Sequence, residues 1–171
     1  MEQDQDECAK IVARVLEGDR QAYARLVEEY KTSIYNLAYR MTGNLEDAAD
    51  LTQDIFIRAY IHLWRYNPEK KFFTWLYTIA LNTIKNFIKK NKITQTSDLK
   101  ENQSLAEQNS SAAQDMDIYL SALDVQTRAF ILMKYVQELS FEEISEISGK
   151  SISAVKMRIY RGLESLRSKI K

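Results

Sequence analysis

The 171-residue chain has one cysteine, one histidine, one proline and four glycines. A lone Cys8 excludes an intramolecular disulfide and any zinc site built from several thiolates. With a single His62, a histidine-based catalytic site or metal cluster would have to be built around that one residue. β-Sandwiches and barrels place Gly and Pro at their many tight turns, so the shortage of both points to helices. No apolar run approaches the roughly 18 residues needed to span a bilayer. The opening stretch, Met1 to Glu7, is acidic, the reverse of a secretory signal's basic start. These features lead us to expect a cytoplasmic protein without membrane insertion. No Gly-rich phosphate loop is present, so little catalytic apparatus is available and no cofactor is implied.

The charge that is present is unevenly placed. Lysine and arginine together balance aspartate and glutamate, 24 against 24. Residues 1–50 hold 6 basic and 11 acidic side chains, whereas residues 51–90 hold 7 and 2. Residues 91–124 hold 2 and 6, and residues 125–171 hold 9 and 5. Two basic segments separated by an acidic one suggest two anion-binding surfaces on one chain. Lopsided charge is also common in helical proteins, so it does not decide the matter alone.

Apolar spacing divides the chain. Asp19 caps a predicted helix whose Ala22, Leu26, Val27, Tyr30, Ile34, Leu37, Ala38 and Met41 share one face. Thr42-Gly43-Asn44 stops it and caps the next helix, with Glu46 and Asp47 favourably placed in the first turn. That helix is expected to run to about Trp64. The loop Arg65–Lys71 holds Pro68, and a third helix spans about Phe72 to Asn91. From Lys92 the sequence turns polar and reads as a flexible linker, with helical periodicity returning near Met116. The predicted architecture is all-α: two small helical domains, 1–91 and 114–171, joined by a flexible polar linker at 92–113.

Ser140-Phe141-Glu142-Glu143 fits a capping box ahead of a short helix. Gly149 supplies a turn, and Ser151 caps a second helix with Ile152, Val155, Ile159, Leu163 and Leu166 inward. Its other face offers Ser151, Ser153, Ala154, Lys156, Arg158 and Arg161, the pattern of a helix-turn-helix that places basic side chains on phosphates and its first residues at base edges. An ordinary helical hairpin with a solvated basic face shares part of this pattern. In the central block, Tyr66, Phe73 and Trp75 alternate with Lys71, Asn82, Lys85, Asn86 and Lys89. Rings that stack bases beside cations that follow a backbone suit single-stranded nucleic acid. Trp75, Leu76, Ile79 and Ile84 can equally be core, and the helical spacing of Trp75, Ile79 and Asn82 to Asn86 requires one face of this segment to be buried.

Asp50-Leu51-Thr52-Gln53-Asp54-Ile55-Phe56 resembles the D-x-x-Q-[DE]-x-[FY] signature of bacterial sigma factors of the extracytoplasmic-function group. Phe73-Thr74-Trp75-Leu76 resembles the next motif of that family, and Leu139 to Leu163 its final helix-turn-helix. The three occur in family order across nearly the whole chain. The resemblance implies a non-enzymatic, dissociable subunit of RNA polymerase. Its region 2 would bind the polymerase β′ clamp through Asp50, Gln53, Asp54 and Phe56. It would open the −10 promoter element with Tyr66 to Phe73, Trp75, Asn82, Lys85, Asn86 and Lys89. Its region 4 would bind the duplex −35 element and the β flap. Anti-sigma antagonists are common in the family, and the chain alone is expected to be monomeric.

Family members often carry Asp where this chain has Asn86, Arg in place of Lys89 and Lys90, and Gly-Thr in place of Ser153-Ala154. Lysine lacks the bidentate geometry of arginine, so some DNA contacts would differ. A homodimeric helix-turn-helix repressor with a helical sensor block is the competing reading, but it leaves the first two motifs without a task. Cys8 is expected in a frayed, acidic N-terminus, and His62 on a partly exposed helix.

Overall fold

The computed structural model describes residues 2–97 and 119–169, with side chains described for 7–91 and 119–168. Its elements are α1 (Glu2–Leu16), α2 (Arg20–Thr42), α3 (Leu45–Ile61), a 3₁₀ turn (Leu63–Arg65), α4 (Phe72–Ser97), α5 (Val125–Tyr135), α6 (Phe141–Ser148) and α7 (Ile152–Lys169). The fold is all-α; α4 continues through Ser97, past Lys92, the expected start of the linker, and the rest of that expected linker lies outside the described residues, as does Met116.

Local sequence explains the helix ends. The Asp19 carboxylate accepts from Ala22 N at 3.2 Å, and Asn44 Oδ1 accepts from Glu46 N and Asp47 N at 2.8 and 3.0 Å. Each bond satisfies a backbone donor that the first turn leaves open. Gly43 ends α2 at φ +72°, in the left-handed region that glycine enters without cost from a side chain. The connection is so short that α3 folds back on α2. Leu26, Ile34, Leu37 and Ala38 of α2 then bury against Ala48, Leu51, Ile55 and Ala59 of α3.

The N-terminal segment corrects the sequence reading. Cys8 is only 3% exposed, in α1, and Ile11, Val12 and Val15 bury beside it. The spacing 8, 11, 12, 15 is an amphipathic stripe, so the acidic start belongs to a packed helix. The Cys8 thiol lies 3.4 Å from the Tyr30 hydroxyl.

The two helical blocks pack on one another through α4 against α6 and α2 against α5. Buried apolar residues form one continuous cluster across both. Polar bonds cross the same boundary. The hydroxyl of Tyr77, itself fully buried, donates to Gln137 Oε1 at 3.0 Å. Arg128 Nη1 donates to Met41 O at 3.0 Å, at the C-terminal end of α2 where the helix dipole favours a cation. Lys70 pairs with Glu146 and Lys71 with Glu143, both at 2.8 Å.

Candidate partner and nucleic-acid interfaces

The first candidate surface is set by the phase of α3. With Leu51, Ile55 and Ala59 inward, Asp50 and Gln53 project outward and Asp54 lies half-buried at the edge. Asp54 Oδ2 accepts from Arg58 Nε one turn on, at 2.8 Å. Alongside runs an apolar groove of about 690 Å³ between α2 and α3, walled by Tyr23, Val27 and Tyr35 and by Gln53, Ile57 and Tyr60. Tyr23 donates to Phe56 O at 2.7 Å and meets the Tyr60 ring edge-on at 5.0 Å, which ties the two walls together. Burial raises the Tyr23 phenol above its ordinary pKa, so it stays a donor. Phe56, expected as a contact residue, is only 7% exposed and forms the groove floor. Ile57 and Ile61, which the motif does not mark, are exposed.

The second surface runs from the Pro68 loop onto α4. Tyr66, expected to contact DNA, is 7% exposed, and its ring lies 5.4 Å from Phe72 and 5.7 Å from Trp75. Burial pushes its phenol up to about 12, and the hydroxyl donates to Lys70 O at 2.7 Å. Tyr66 therefore braces the loop and offers no free face for stacking. Phe73 is half-buried, packed 4.1 Å from the Tyr77 ring, and Trp75 is half-buried as well. The aromatic motif is thus mainly the underside of the loop. On α4, Asn82, Asn86 and Lys89 are exposed at spacings of four and three, with Lys85 half-buried beside them. Those spacings place them on one face. Lys71 is exposed at the loop's end and meets Glu143. Trp64, which the sequence reading did not select, is 65% exposed with the Arg65 guanidinium 4.8 Å from its ring centre.

The third surface is the α6–α7 unit. Ser140 Oγ accepts from Glu143 N at 3.1 Å, while Glu143 Oε2 accepts from Ser140 N at 2.9 Å, the reciprocal bonds of a capping box. Gly149 turns the chain at φ +64°, and Ser151 Oγ accepts from Ala154 N at 3.3 Å. Ser151, Ser153, Lys156 and Arg161 are exposed on α7, and Ala154 is half-buried. Ile152, expected inward, is 37% exposed because it precedes the point where α7 reaches the core. Arg158 departs from the expected outward face. It turns back to α5, where Nη1 donates to Gln126 Oε1 at 2.8 Å and to Asp124 Oδ1 at 3.1 Å. Met157 and Tyr160, by contrast, are exposed beside Lys156 and Arg161. Gly162 lets α7 cross α5 closely, since a Cβ there would overlap Thr127 Cγ2 and come within 3.0 Å of Ile131 Cδ1.

Among the described residues no cluster of His, Cys, Asp or Glu could hold a metal ion, and no helix is long and apolar enough to cross a membrane. His62 is exposed at the C-terminal cap of α3.

What these surfaces have in common is a helical unit with an acidic-apolar face, a braced basic loop and a helix-turn-helix, as in a promoter-recognition subunit. Residues 26–93 match sigma-70 region 2 and residues 115–166 match sigma-70 region 4. The chain is 35% identical to the ECF RNA polymerase sigma factor SigW of Bacillus subtilis over 95% of its own length and 96% of that protein. It is 31% identical to the ECF sigma factor SigE of Mycolicibacterium smegmatis, covering 88% of this chain and 63% of that one. Its fold is similar to CnrH in a complex with the cytosolic domain of CnrY (TM-score 0.75, 22% identity, 95% and 96% covered). It is also similar to the sigma factor RpoE bound to the anti-sigma factor NepR from Bartonella quintana (TM-score 0.73, 22% identity, 85% and 94% covered). The chain belongs to the extracytoplasmic-function sigma factors. It is a non-catalytic subunit that binds core RNA polymerase and DNA and directs promoter-specific transcription.

Proposed function

We propose that residues 1–91 act as region 2 and residues 114–171 as region 4 of this sigma factor in the cytoplasm, with 92–113 as the connection between them. The observation that carries the reading is the union, on one face of α3, of exposed Asp50 and Gln53 with the apolar α2–α3 groove. Acidic and amide groups can pair with arginines while the groove accepts an apolar side chain from the same partner, here the β′ clamp. Asp54 joins them at the edge, and Phe56 acts from below as the groove floor. The exposed stripe Asn82, Asn86, Lys89, together with Lys85 and Lys71, is assigned to the separated −10 strand. Extracting a base from the stack costs a few kcal/mol, least where flanking strand is held electrostatically. Tyr66, Phe73 and Trp75 shape that loop from beneath. Ser151, Ser153 and Ala154 stand at the start of α7, where base edges of the −35 duplex are read, and Lys156 and Arg161 face its phosphates. Arg158 orients α7 through Asp124 and Gln126. The β flap takes region 4. An anti-sigma factor is a further partner in this reading, supported by the similar fold of RpoE bound to the anti-sigma factor NepR.

Run-off transcription with purified core polymerase over a fragmented source genome tests the reading. Initiation at a discrete promoter set is expected. The absence of any start site, together with no stable complex with core, would overturn it.

A further inference from the structure

Two adjacent lysines of the proposed strand-capturing loop are held by two carboxylates of the helix-turn-helix unit. Lys70 Nζ meets Glu146 Oε1 and Lys71 Nζ meets Glu143 Oε1, each at 2.8 Å, across 76 and 72 residues of chain. Glu143 and Glu146 lie three apart on α6, hence on one face. Neither side is loose. The loop is fixed by the Tyr66 hydroxyl on Lys70 O and by Asn67 Oδ1 on Glu69 N. Glu143 uses one oxygen for Lys71 and the other for the Ser140 backbone, so the group that caps α6 also carries the contact. We propose that α6 closes over the Tyr66–Lys71 loop as an internal substitute for nucleic-acid phosphate, making separation of the two blocks and capture of single-stranded DNA one coupled equilibrium.

This rests on the strand-capture role assigned above. Charge and exposure give it its character. The side chains of Lys70 and Glu146 are 60% and 43% exposed, those of Lys71 and Glu143 48% and 22%. Such pairs are individually weak and screened by salt, so they adjust a closure that the buried α4–α6 and α2–α5 contacts also hold. A strand of phosphates offers the same lysines several acceptors at once. A chain that is competent only when open binds DNA with an apparent affinity reduced by the open fraction. Removing one pair therefore raises apparent affinity by about two- to fivefold, the range set by a single exposed pair.

The test uses the full chain and a carbodiimide, which joins a lysine amine to a carboxylate only where the two touch. At low salt, peptide mass spectrometry is expected to find Lys70 joined to Glu146 and Lys71 to Glu143, with both products fading as a fluorescent single-stranded oligonucleotide is added. E146Q is expected to abolish the first product and raise oligonucleotide affinity two- to fivefold. E142Q removes an equal charge from the same helix outside both pairs and is expected to change affinity by less than half as much. Lack of either cross-link in the free chain would overturn closure. Full cross-linking with oligonucleotide bound, or equal effects of E146Q and E142Q, would overturn the coupling while leaving strand capture standing. Intact cross-links with no oligonucleotide bound at any concentration would instead sink the strand-capture role, and the coupling with it.

Discussion

Gly162 of α7 lies directly against Thr127 of α5, so close that a β-carbon on the glycine would overlap the threonine methyl. Thr127 is 5% exposed and anchored by its own hydroxyl, which donates to Asp124 Oδ2 at 2.5 Å. The contact therefore cannot relax by simple rotation of the threonine. Gly162→Ala is expected to destabilise the chain by about 1 kcal/mol. Overpacking costs about 1–3 kcal/mol, and the better helix propensity of alanine returns up to about 1 of it. Thr127→Ser removes the methyl and keeps the hydroxyl, so adding it to Gly162→Ala should recover the loss. Urea unfolding of the single and double variants measures this. A Gly162→Ala chain at least as stable as the parent would show that the crossing has slack.

Acid should weaken the chain through two carboxylates that act as caps. Partial burial pushes the Glu143 carboxyl up, but the contacts with Lys71 and Ser140 outweigh it and hold it below its ordinary 4.5. At Asp124 burial likewise opposes, and the Thr127 bonds and Arg158 prevail, holding it below 3.8. Both values are depressed in the folded state, so their contribution is complete above the unfolded values. It is lost as pH falls through the folded ones. The urea midpoint is expected to drop as pH falls from neutral to roughly 3. Asp124→Asn with Glu143→Gln should lower stability at neutral pH and flatten that drop. An unaltered slope in the double variant would move the acid sensitivity elsewhere.

How much of this was legible in the sequence depends on the range of each interaction. Ser140 and Glu143 are three residues apart, and their capping box could be read directly because every participating atom is local. The same holds for Asp19, Asn44 and Gly43 at the ends of α2 and α3. The burial of Tyr66 was not legible. A tyrosine among lysines looks the same whether its ring braces a loop or stacks a base, and only the tertiary position of Phe72 and Trp75 decides. Arg158 turned inward for a partner 34 residues away in sequence. The burial of Cys8 was legible in the helical spacing of Cys8, Ile11, Val12 and Val15, which outweighs the acidic composition of the N-terminus.

The inward turn of Arg158 separates two kinds of basic residue on α7. Lys156→Ala and Arg161→Ala should each lower the salt slope of duplex binding by about 0.9, the value of one lost phosphate contact. Arg158→Ala should leave that slope nearly unchanged, because its guanidinium is bonded to Asp124 and Gln126. Its loss should appear instead as a lower unfolding midpoint. Fluorescence anisotropy on a −35 duplex across a salt series reads the slopes. Three equal slope changes would mean that Arg158 leaves α5 and joins the phosphate contacts on binding.

On α3, Gln53→Arg and Asp54→Arg should weaken binding to core polymerase while preserving the helical circular-dichroism spectrum. Placing a cation opposite an arginine-bearing partner costs several kcal/mol, and Gln53 borders the groove directly. Asp54→Arg also replaces the Arg58 ion pair with a like-charge neighbour one turn away, a penalty of only about 0.5 kcal/mol at an exposed site. The fold should tolerate it. Titration of labelled core with each variant measures the affinity, and an unchanged constant for both would remove this face from the interface.

The α4 stripe should act on separated strands and not on the duplex. Bases in a duplex hide their faces, whereas an opened strand lets them enter pockets and leaves its phosphates accessible to lysine. Asn82 is exposed and Lys85 half-buried on the same helix, so neither substitution removes a core side chain. Asn82→Ala and Lys85→Ala should therefore impair open-complex formation more than initial promoter binding. The two should then part company on a promoter carrying a pre-melted bubble. Lys85 contributes charge that helps drive strand separation, so the bubble should restore part of its loss. Asn82 contributes amide hydrogen bonds to a base, which the bubble does not replace, so its loss should persist. Permanganate reactivity of unpaired thymines reports opening, and filter binding run in parallel reports the initial complex. Equal losses in both assays, with no rescue of Lys85→Ala by the bubble, would assign the stripe to duplex contact or to structure and end its role in strand capture.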